Sequence, residues 1–424
     1  MEDEYQTSKV PDHACIPWWH VALMNSSFSL ALPTFVGGLQ LAKAASGWTF
    51  ITGTVAAGII LSLIAGLTGI IGSRTRLSSY MLARIVFGTR GSMFLNLGFA
   101  LSLLGWFGVN IELFSDAMMQ LLKEFRLYTG APWPVELAAG LLMTLTTFIG
   151  LRAINRLALL VTPLLGLVTL LMLVKILDVG SLDNLLAKGP KAGLPIGDVV
   201  SAIMGAIAVG AVIMPDICRF IRHWRGAVGV AIAAYLLAST AVTLVGGLAG
   251  LAMNQNDILA VMLTLGLGLG AFAIIFGGSW TINALNLYSA VLSIGTSLPR
   301  LPRGWVVILC GLGGTICAFF SILDRFIPFL IYLAIIFIPI GGILIVDFFW
   351  LRPAVFLTDL RHSPKAVEWP ALLAWGAGTG IALLTLQGIL SLTGVVALDA
   401  MFVAGATYGL LRWRSRERMA RAAA

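Results

Sequence analysis

Long apolar runs, separated by short polar or charged segments, dominate the hydrophobic pattern of this chain. Because a helix of about 20 apolar residues spans the hydrocarbon core of a bilayer, each run predicts one transmembrane helix. Twelve runs meet this description, at 19–43, 47–72, 92–122, 133–151, 155–177, 196–218, 227–252, 258–290, 304–323, 326–348, 368–389 and 392–411. The eighth run exceeds one span, so we expect part of it to lie along the inner face of the membrane.

The composition points to the same class of protein. The chain is 59% hydrophobic and 11% charged, with a mean hydropathy of +0.96. Soluble domains carry about 25% charged residues, so the composition excludes a soluble fold and favours a polytopic membrane protein. The first ten residues, MEDEYQTSKV, are acidic and polar, which predicts no cleavable signal peptide. The four cysteines do not suggest a disulfide framework, and no catalytic or metal-binding motif is present, so we expect neither an enzyme nor a bound cofactor.

The basic residues predict the orientation. If the helices alternate in direction, most of the 27 lysines and arginines fall in loops on the side that holds the N-terminus. Positive residues are enriched in cytoplasmic loops, so we expect both termini in the cytoplasm. Orientation also accounts for the formal net charge of +8 without a nucleic-acid partner.

Two of the predicted helices contain residues that break helices. The first reads NSSFSLALPTFVGG around Pro33, and the sixth reads MGAIAVGAVIMPDICRF around Pro215. Irregular backbone at membrane depth is tolerated only where it is buried in protein or lines a cavity. Interruptions at corresponding positions of two halves are typical of transporters built from inverted repeats. The alternative is that glycine and proline are common in ordinary membrane helices.

The repeat interpretation predicts an all-α polytopic fold with twelve transmembrane helices, namely two inverted five-helix repeats plus two C-terminal helices. The transport site of such a fold lies at the interface of the repeats, near the midplane. The expected divisions are a cytoplasmic N-terminal segment (1–18), the first repeat (19–178), the second repeat (179–350), helices eleven and twelve (351–411) and a basic cytoplasmic tail (412–424).

Polar side chains inside the predicted helices concentrate in the third and eighth. Asn283 and Asn286 are three residues apart and share a helix face, so they either line a site or hydrogen-bond a neighbouring helix. Glu112 and Asp116 share one face of the third helix, whereas Trp106 lies near the midplane on another face. Carboxylates at membrane depth are functional candidates because their burial is costly. For Glu112 the alternatives are a vestibule charge and a structural pair with a lysine or asparagine. For Asp116 the alternative is a solvated side chain near the outer mouth.

Five motifs occur in a characteristic order along the chain. They are SSYMLARIVFGTRGS (78–92), GWFGV (105–109), PDICRFIRHWRGAV at the end of the sixth helix, WTINALNLY in the eighth and IPIGGILIVDFF in the tenth. Together they resemble the nucleobase:cation symporter-1 family, and most closely its bacterial cytosine permease branch. The resemblance implies alternating access and symport of a heterocyclic base with Na⁺ or H⁺ across the bacterial inner membrane. It also implies that Trp106 stacks on the substrate ring, since an aromatic face suits a planar heterocycle.

The chain departs from the family pattern around the implied substrate. Leu103 stands where cytosine permeases carry a glutamine that reads the base, and Ala206–Ile207 replace a Ser–Phe pair that closes the other ring face. A site built to hydrogen-bond its substrate discriminates strongly against ligands that lack the partner group. The departures therefore argue for a substrate other than cytosine.

The sodium site that the resemblance implies differs as well. Thr281–Ile282 replace two adjacent threonines of the eighth helix, and the carbonyl ligands of the first helix would come from around Ser26 and Leu30. Three alternatives stay open: a sodium site with fewer oxygen ligands, coupling to H⁺ with Glu112 as the candidate proton carrier, or uncoupled transport.

The sequence thus predicts a secondary transporter that imports a nucleobase-like planar nitrogenous heterocycle. An uncoupled facilitator or channel for a small polar solute is the alternative. The expected partners are the substrate and the lipid bilayer, and the oligomeric state stays open. The expected substrate-binding residues are Trp106, Phe107, Asn110, Leu103, Ser29, Ala206, Ile207, Gly210, Asn283 and Asn286.

Overall fold

The computed structural model describes residues 5, 8–124, 126–148, 151–187, 189–191, 193–255, 257–298, 300–320, 325–357 and 365–423. Regular secondary structure in these ranges is helical. The α-helices are α1 (Trp18–Ser29), α2 (Leu32–Ala44), α3 (Gly47–Thr75), α4 (Ser79–Glu124), α5 (Trp133–Thr147), α6 (Leu151–Val179), α7 (Leu182–Ala187), α8 (Ile196–Val212), α9 (Pro215–Cys218), α10 (Trp224–Ala231), α11 (Thr240–Met253), α12 (Ile258–Thr264), α13 (Gly268–Ala273), α14 (Ser279–Ser297), α15 (Arg303–Ala318), α16 (Phe326–Val346), α17 (Pro353–Leu357), α18 (Trp369–Leu386) and α19 (Val396–Ala423). Short π-helical stretches lie at Ile232–Ser239, Ile274–Gly278 and Asp347–Leu351.

The helices confirm a multi-pass, all-helical class. Among the described residues, eight helices are long and apolar enough to cross a membrane, and the bent pair of α1 and α2 makes up to a ninth. Each of the twelve predicted runs coincides with at least one helix. Two bounds differ clearly from the expectation: α4 begins at Ser79 rather than at 92, and α19 continues to Ala423 through the segment predicted as a tail.

The first run is broken where the sequence indicated. The axes of α1 and α2 differ by 50°, and between them Ala31 adopts an extended conformation with φ −98° and ψ 161°. Pro33 lies in the first turn of α2, where an absent N–H group costs no helical hydrogen bond. The predicted interruption is therefore confirmed.

The sixth run is broken at its proline, as the sequence predicted, and not at its glycines. α8 is continuous from Ile196 to Val212, and the interruption falls at Ile213 and Met214, directly before Pro215 begins α9. Gly205 lies inside the continuous helix, where a Cβ atom would stand 1.8 Å from the carbonyl oxygen of Leu330. This glycine permits close packing of α8 on α16 and does not mark a break.

The extra part of the eighth run lies on the face of the molecule opposite the N-terminal segment. Lys43 near the end of α2 donates to the carbonyl of Gln255 at 2.7 Å, and Gln120 of α4 donates to Asp257 at 2.8 Å. These bonds hold α12 beside the far ends of α2 and α4. The chain emerges from α11 on this side and turns back at Gly266. A segment along the inner face and an N-terminus inside the cell are therefore expectations that do not hold together.

On the N-terminal side, Gly88 breaks α4 near its start. Its φ of +83° lies in the left-handed region, and a Cβ there would stand 2.6 Å from the carbonyl oxygen of Lys365. The N–H groups of Thr89 and Arg90 donate to the carbonyls of Lys365 and Ala366 at 3.0 and 2.7 Å. The segment before α18 is thereby fastened to α4 through backbone hydrogen bonds that only a glycine allows.

Candidate functional site

A cavity lies at the break between α1 and α2, bounded also by α4, α8, α14 and α16. Its volume is about 90 Å³. Roughly 10–15 Å³ of such space holds one water, so the cavity accommodates several waters or one small ring. Its lining includes seven of the ten residues that the sequence proposed, namely Ser29, Leu103, Trp106, Ala206, Ile207, Gly210 and Asn286.

Three of the proposed residues lie outside this lining. Asn283 donates to the carbonyl of Phe107 at 3.1 Å and contacts the sulfur of Met143 at the same distance. Asn110 donates to the carbonyl of Trp106, one turn earlier in α4, at 2.8 Å. Asn283 and Phe107 thus join α14 to α4, whereas the Asn110 amide bonds within α4. Asn286, one turn after Asn283, is the α14 amide that reaches the cavity.

Aromatic side chains surround Trp106. The ring of Phe326 lies 6.0 Å from that of Trp106 at an interplanar angle of 88°, and the ring of Phe329 lies 5.6 Å away at 65°. Phe326 lines the cavity together with Phe28. The sequence analysis missed both phenylalanines, because nothing in the local pattern separates a cavity-lining aromatic from one that packs between helices. Their rings supply aromatic faces to this cavity, which the aliphatic side chain of Ile207 cannot supply.

Few polar groups in the cavity are available to a ligand. Ser29 donates its hydroxyl to the carbonyl of Ala234 at 3.2 Å. Asn25 and Tyr235 both point at the sulfur of Met214. By contrast, the side-chain nitrogen of Asn286 is buried and has no hydrogen-bond partner among the described residues. A buried amide that lacks a partner is costly, so Asn286 is the group best placed to bind a polar edge of a ligand.

The end of the cavity nearest the N-terminal segment contains a carboxylate that the sequence analysis did not single out. Asp216, at the start of α9, lines the cavity and is only 2% exposed. One carboxyl oxygen accepts the backbone N–H of Ser79 at 2.6 Å, and the other has no hydrogen-bond partner among the described residues. The signal was present in the motif PDICRF, but the aspartate looked like part of a helix end.

The residues proposed for a cation contact each other only in part. The carbonyl of Ser26 accepts the N–H of Leu30 at 3.2 Å, and the hydroxyl of Thr281 donates to the carbonyl of Gly277 at 2.7 Å. The carbonyl of Leu30 faces Gly278, where a Cβ would stand 3.2 Å from its oxygen. The break of the first helix therefore approaches the start of α14 at Leu30.

The two carboxylates of the third helix lie away from the cavity lining. Glu112 is half-buried, and Asp116 is exposed. Neither residue lines the space that Trp106 faces. The structure thus separates Glu112, the proton carrier suggested by the sequence, from the candidate transport site.

The N-terminal segment covers the side of the molecule beneath Asp216. The N–H of Val10 donates to the carbonyl of Arg76 at 3.1 Å, and that of Ile16 donates to the carbonyl of Phe220 at 2.9 Å. Arg219 is fully buried and donates to the carbonyl of Tyr5 at 2.8 Å. These bonds tie the segment to the ends of α3 and α9, so the cavity is closed on this side.

Comparison with known proteins identifies similar sequences along nearly the whole chain. Residues 16–409 match the family described as a permease for cytosine/purines, uracil, thiamine and allantoin. The cytosine permease of Escherichia coli (strain K12) is 29% identical over 326 residues, which cover 76% of this chain and 74% of that protein. The hydantoin permease of Microbacterium maritypicum is 23% identical over 412 residues, which cover 88% of this chain and 82% of that protein.

Solved structures share the fold. One of them is Mhp1, a nucleobase-cation-symport-1 family transporter, in a closed conformation with bromovinylhydantoin bound. Its TM-score is 0.84 at 18% identity, and the match covers 98% of this chain and 96% of the Mhp1 chain. The inward-facing conformation of Mhp1 gives a TM-score of 0.78 at 18% identity, with 97% and 95% coverage. Both likenesses show that this chain has the fold of these transporters.

Proposed function

Because the chain belongs to the family of permeases for cytosine/purines, uracil, thiamine and allantoin, within the cytosine permease branch of the nucleobase:cation symporter-1 family, we propose that it imports a nucleobase-like planar nitrogenous heterocycle by alternating access. Its relatives are permeases, and the protein is a multi-pass secondary transporter. The observation that carries the substrate class is Trp106, which lines a small cavity at the break of the first helix. Import would be coupled to Na⁺ or H⁺.

In this proposal the ring lies on Trp106 and its polar edge meets Asn286. Phe326 supplies a second apolar contact, which replaces the aromatic lost at Ile207. With Leu103 and Ala206 in the lining, the cavity offers few hydrogen bonds, so the substrate is less polar around its ring than cytosine. Small-molecule sites commonly combine apolar walls with a few polar groups that set orientation.

The helix packing supports two inverted five-helix repeats, 19–178 and 179–350, followed by the two helices of 351–411. If the sixth helix corresponds to the first, the contact of α2 with α11 should recur as a contact of α8 with α3. Likewise, the α1–α6 contact should correspond to an α8–α16 contact. The α4–α15 contact should correspond to an α14–α5 contact. All six contacts are present. Twelve spans with this symmetry form the proposed architecture.

The exposed tryptophans support the placement in a bilayer with both termini in the cytoplasm. Tryptophan is enriched at membrane–water interfaces. Exposed tryptophans form one group on the N-terminal side, at Trp18, Trp19, Trp224, Trp305, Trp350, Trp369 and Trp413, and another on the opposite side, at Trp48 and Trp133. The basic loops lie on the N-terminal side, which the positive-inside rule assigns to the cytoplasm of the bacterial inner membrane.

A thermal-shift screen tests the substrate assignment. Purified protein is heated with pyrimidines, purines, hydantoins and related heterocycles, each with and without Na⁺, because a ligand that binds the native state raises the melting temperature. Trp106→Ala should abolish the shift caused by the active compound. Trp305→Ala, which removes a tryptophan from the exposed surface, should preserve it. A panel in which no compound stabilises the native chain more than the Trp106→Ala variant would contradict the proposal.

An uncoupled facilitator is the second candidate, and the environment of Thr281 favours it. The hydroxyl of Thr281 donates to the carbonyl of Gly277 and keeps its lone pairs for a cation. The side chain of Ile282 offers no oxygen, so the side-chain oxygen set for sodium is sparse. Uptake into liposomes decides between the two. Accumulation above the outside concentration excludes the facilitator, and uptake that is unchanged by Na⁺ and by collapse of the proton gradient supports it.

A further inference from the structure

We propose that Asp216 is the proton-binding site that couples transport to the proton gradient, an inference that rests on the proposed transport function. Asp216 follows the break of the sixth helix and lines the same cavity as Trp106, at the end nearest the N-terminal segment. A proton that enters the cavity from the opposite side therefore meets this carboxyl along the substrate's own route. No other carboxylate of the described residues lines this cavity.

The hydrogen bonds of Asp216 leave one acceptor unused. Its Oδ1 accepts the Ser79 N–H, whereas its buried Oδ2 has no partner among the residues that the structure describes. A buried carboxylate with incomplete hydrogen bonding is unfavourable, and binding a proton removes its charge. The second oxygen is thus a proton acceptor inside the transport cavity.

Among the described residues, no basic side chain of α4 or of the end of α9 forms a direct ion pair with the Asp216 carboxylate. Ser79 and Tyr80 face Asp216 with hydroxyl groups from the start of α4, and Arg219 follows it at the end of α9. Arg219 directs Nε to the backbone carbonyl of Asp216 at 3.1 Å and another nitrogen to the carbonyl of Tyr5. The arginine thereby lowers the cost of the charged form without occupying Oδ2.

The other packed elements contribute tyrosines, a thiol and one further arginine. Tyr235 lines the cavity from Ile232–Ser239, and Tyr288 of α14 lies within electrostatic range of Tyr80. Cys218 ends α9, and Arg76, directly after α3, points to the carbonyl of Arg219 and to Asp12. Of the two carboxyl groups named here, Asp216 lines the cavity and Asp12 does not.

The same hydrogen bond suggests how protonation acts on the fold. Charged Asp216 holds the first N–H of α4 against α9, and the Tyr80 hydroxyl, one residue later, donates to the carbonyl of Ser289 in α14 at 3.0 Å. Three helices are thereby joined beneath the cavity. A protonated carboxyl is a weaker acceptor for Ser79, so proton binding loosens this joint and favours opening towards the N-terminal side. Release of the proton there restores the closed arrangement.

Proteoliposomes free of Na⁺, acidic outside and alkaline inside, test the proposal with a labelled heterocycle that the thermal-shift screen has identified. The native chain should accumulate the compound above its outside concentration. Asp216→Asn should only equilibrate it, yet should still exchange labelled for unlabelled compound in counterflow. Asp198→Asn, which makes the same change at the far end of the sixth helix, should accumulate like the native chain. Accumulation by Asp216→Asn equal to that of the native chain would overturn the proposal. So would a native chain that exchanges the compound in counterflow but accumulates it only after Na⁺ is added.

A second measurement does not depend on how well the variant folds. Addition of the compound to the native protein in weakly buffered detergent solution should raise the pH, because binding stabilises the protonated carboxyl. Binding with no proton uptake would contradict the role of Asp216. Failure of the native chain to exchange any heterocycle in counterflow would instead contradict the proposed function, so the two failures are distinguishable.

Discussion

Asn283 and Asn286 are three residues apart on α14, yet they face different surroundings. The sequence predicted their helix and their polar face, because residues three apart lie close together on a helix. It could not predict which amide reaches the cavity, since that depends on the rotation of α14 against α4 and α5. Asp216 was missed for a related reason: its hydrogen-bond partner, the N–H group of Ser79, is 137 positions away in sequence.

The two asparagines should respond differently to replacement by leucine. Asn286→Leu removes an amide nitrogen that has no partner in the described structure, so thermal stability should hold while ligand affinity falls by up to about tenfold, the value of one hydrogen bond. Asn283→Leu leaves the Phe107 carbonyl without its donor and should destabilise the fold by about 1–3 kcal/mol. Melting temperatures and ligand titrations on both variants check this contrast. Equal stability losses would contradict it.

Leu103 determines substrate choice in our interpretation, so restoring an amide there should broaden it. Leu103→Gln places a hydrogen-bonding group in the cavity, which should raise affinity for cytosine by up to about tenfold. Leu104→Gln makes the same change at a position outside the cavity lining and should not improve cytosine binding. Titration of cytosine against both variants measures the difference. An equal gain in both variants would show that the cavity is not the cause.

At the scale of elements, hydropathy predicted the helices better than their interruptions. A helix satisfies its own backbone hydrogen bonds, so a long apolar run in lipid has few alternatives to helix formation. Glycine, however, serves both breaks and close packing. Gly205 permits contact of α8 with Leu330, and Gly88 permits a left-handed turn. Only the tertiary neighbours distinguish these uses, whereas the break of the sixth run lies directly before Pro215, the residue around which the sequence predicted it.

The joint between α4 and the segment before α18 should depend on Gly88. Gly88→Ala forces a side chain into left-handed backbone and against the Lys365 carbonyl, which should destabilise the protein by more than about 1–3 kcal/mol. Gly376→Ala is the matched control, because no atom lies within 4 Å of a Cβ at that helical position; its effect should stay within about 1 kcal/mol. Melting temperatures of the two variants test this. A Gly88→Ala protein as stable as the control would contradict the role of the joint.

At the scale of the whole molecule, the sequence predicted the spans but not which helices meet. Lipid-facing and protein-facing side chains are both apolar, so hydropathy carries little information about helix packing. The structure places α8 between α3 and α16 and ties the N-terminal segment across α9. The transporter is therefore observed closed on the N-terminal side, and transport requires that this side opens.

Cys218 should report this opening. Its side chain is fully buried beside Gly69 of α3, at the end of α9. With Cys15, Cys310 and Cys317 replaced by serine, Cys218 should react slowly with a maleimide in the ligand-free protein. Substrate with its coupling ion should accelerate the reaction several-fold, because loaded transporters populate the state open on the N-terminal side. Mass spectrometry of the labelled protein measures the rate, and Trp106→Ala should remove the dependence on substrate. A labelling rate that substrate leaves unchanged, in protein that binds it, would contradict opening at α9.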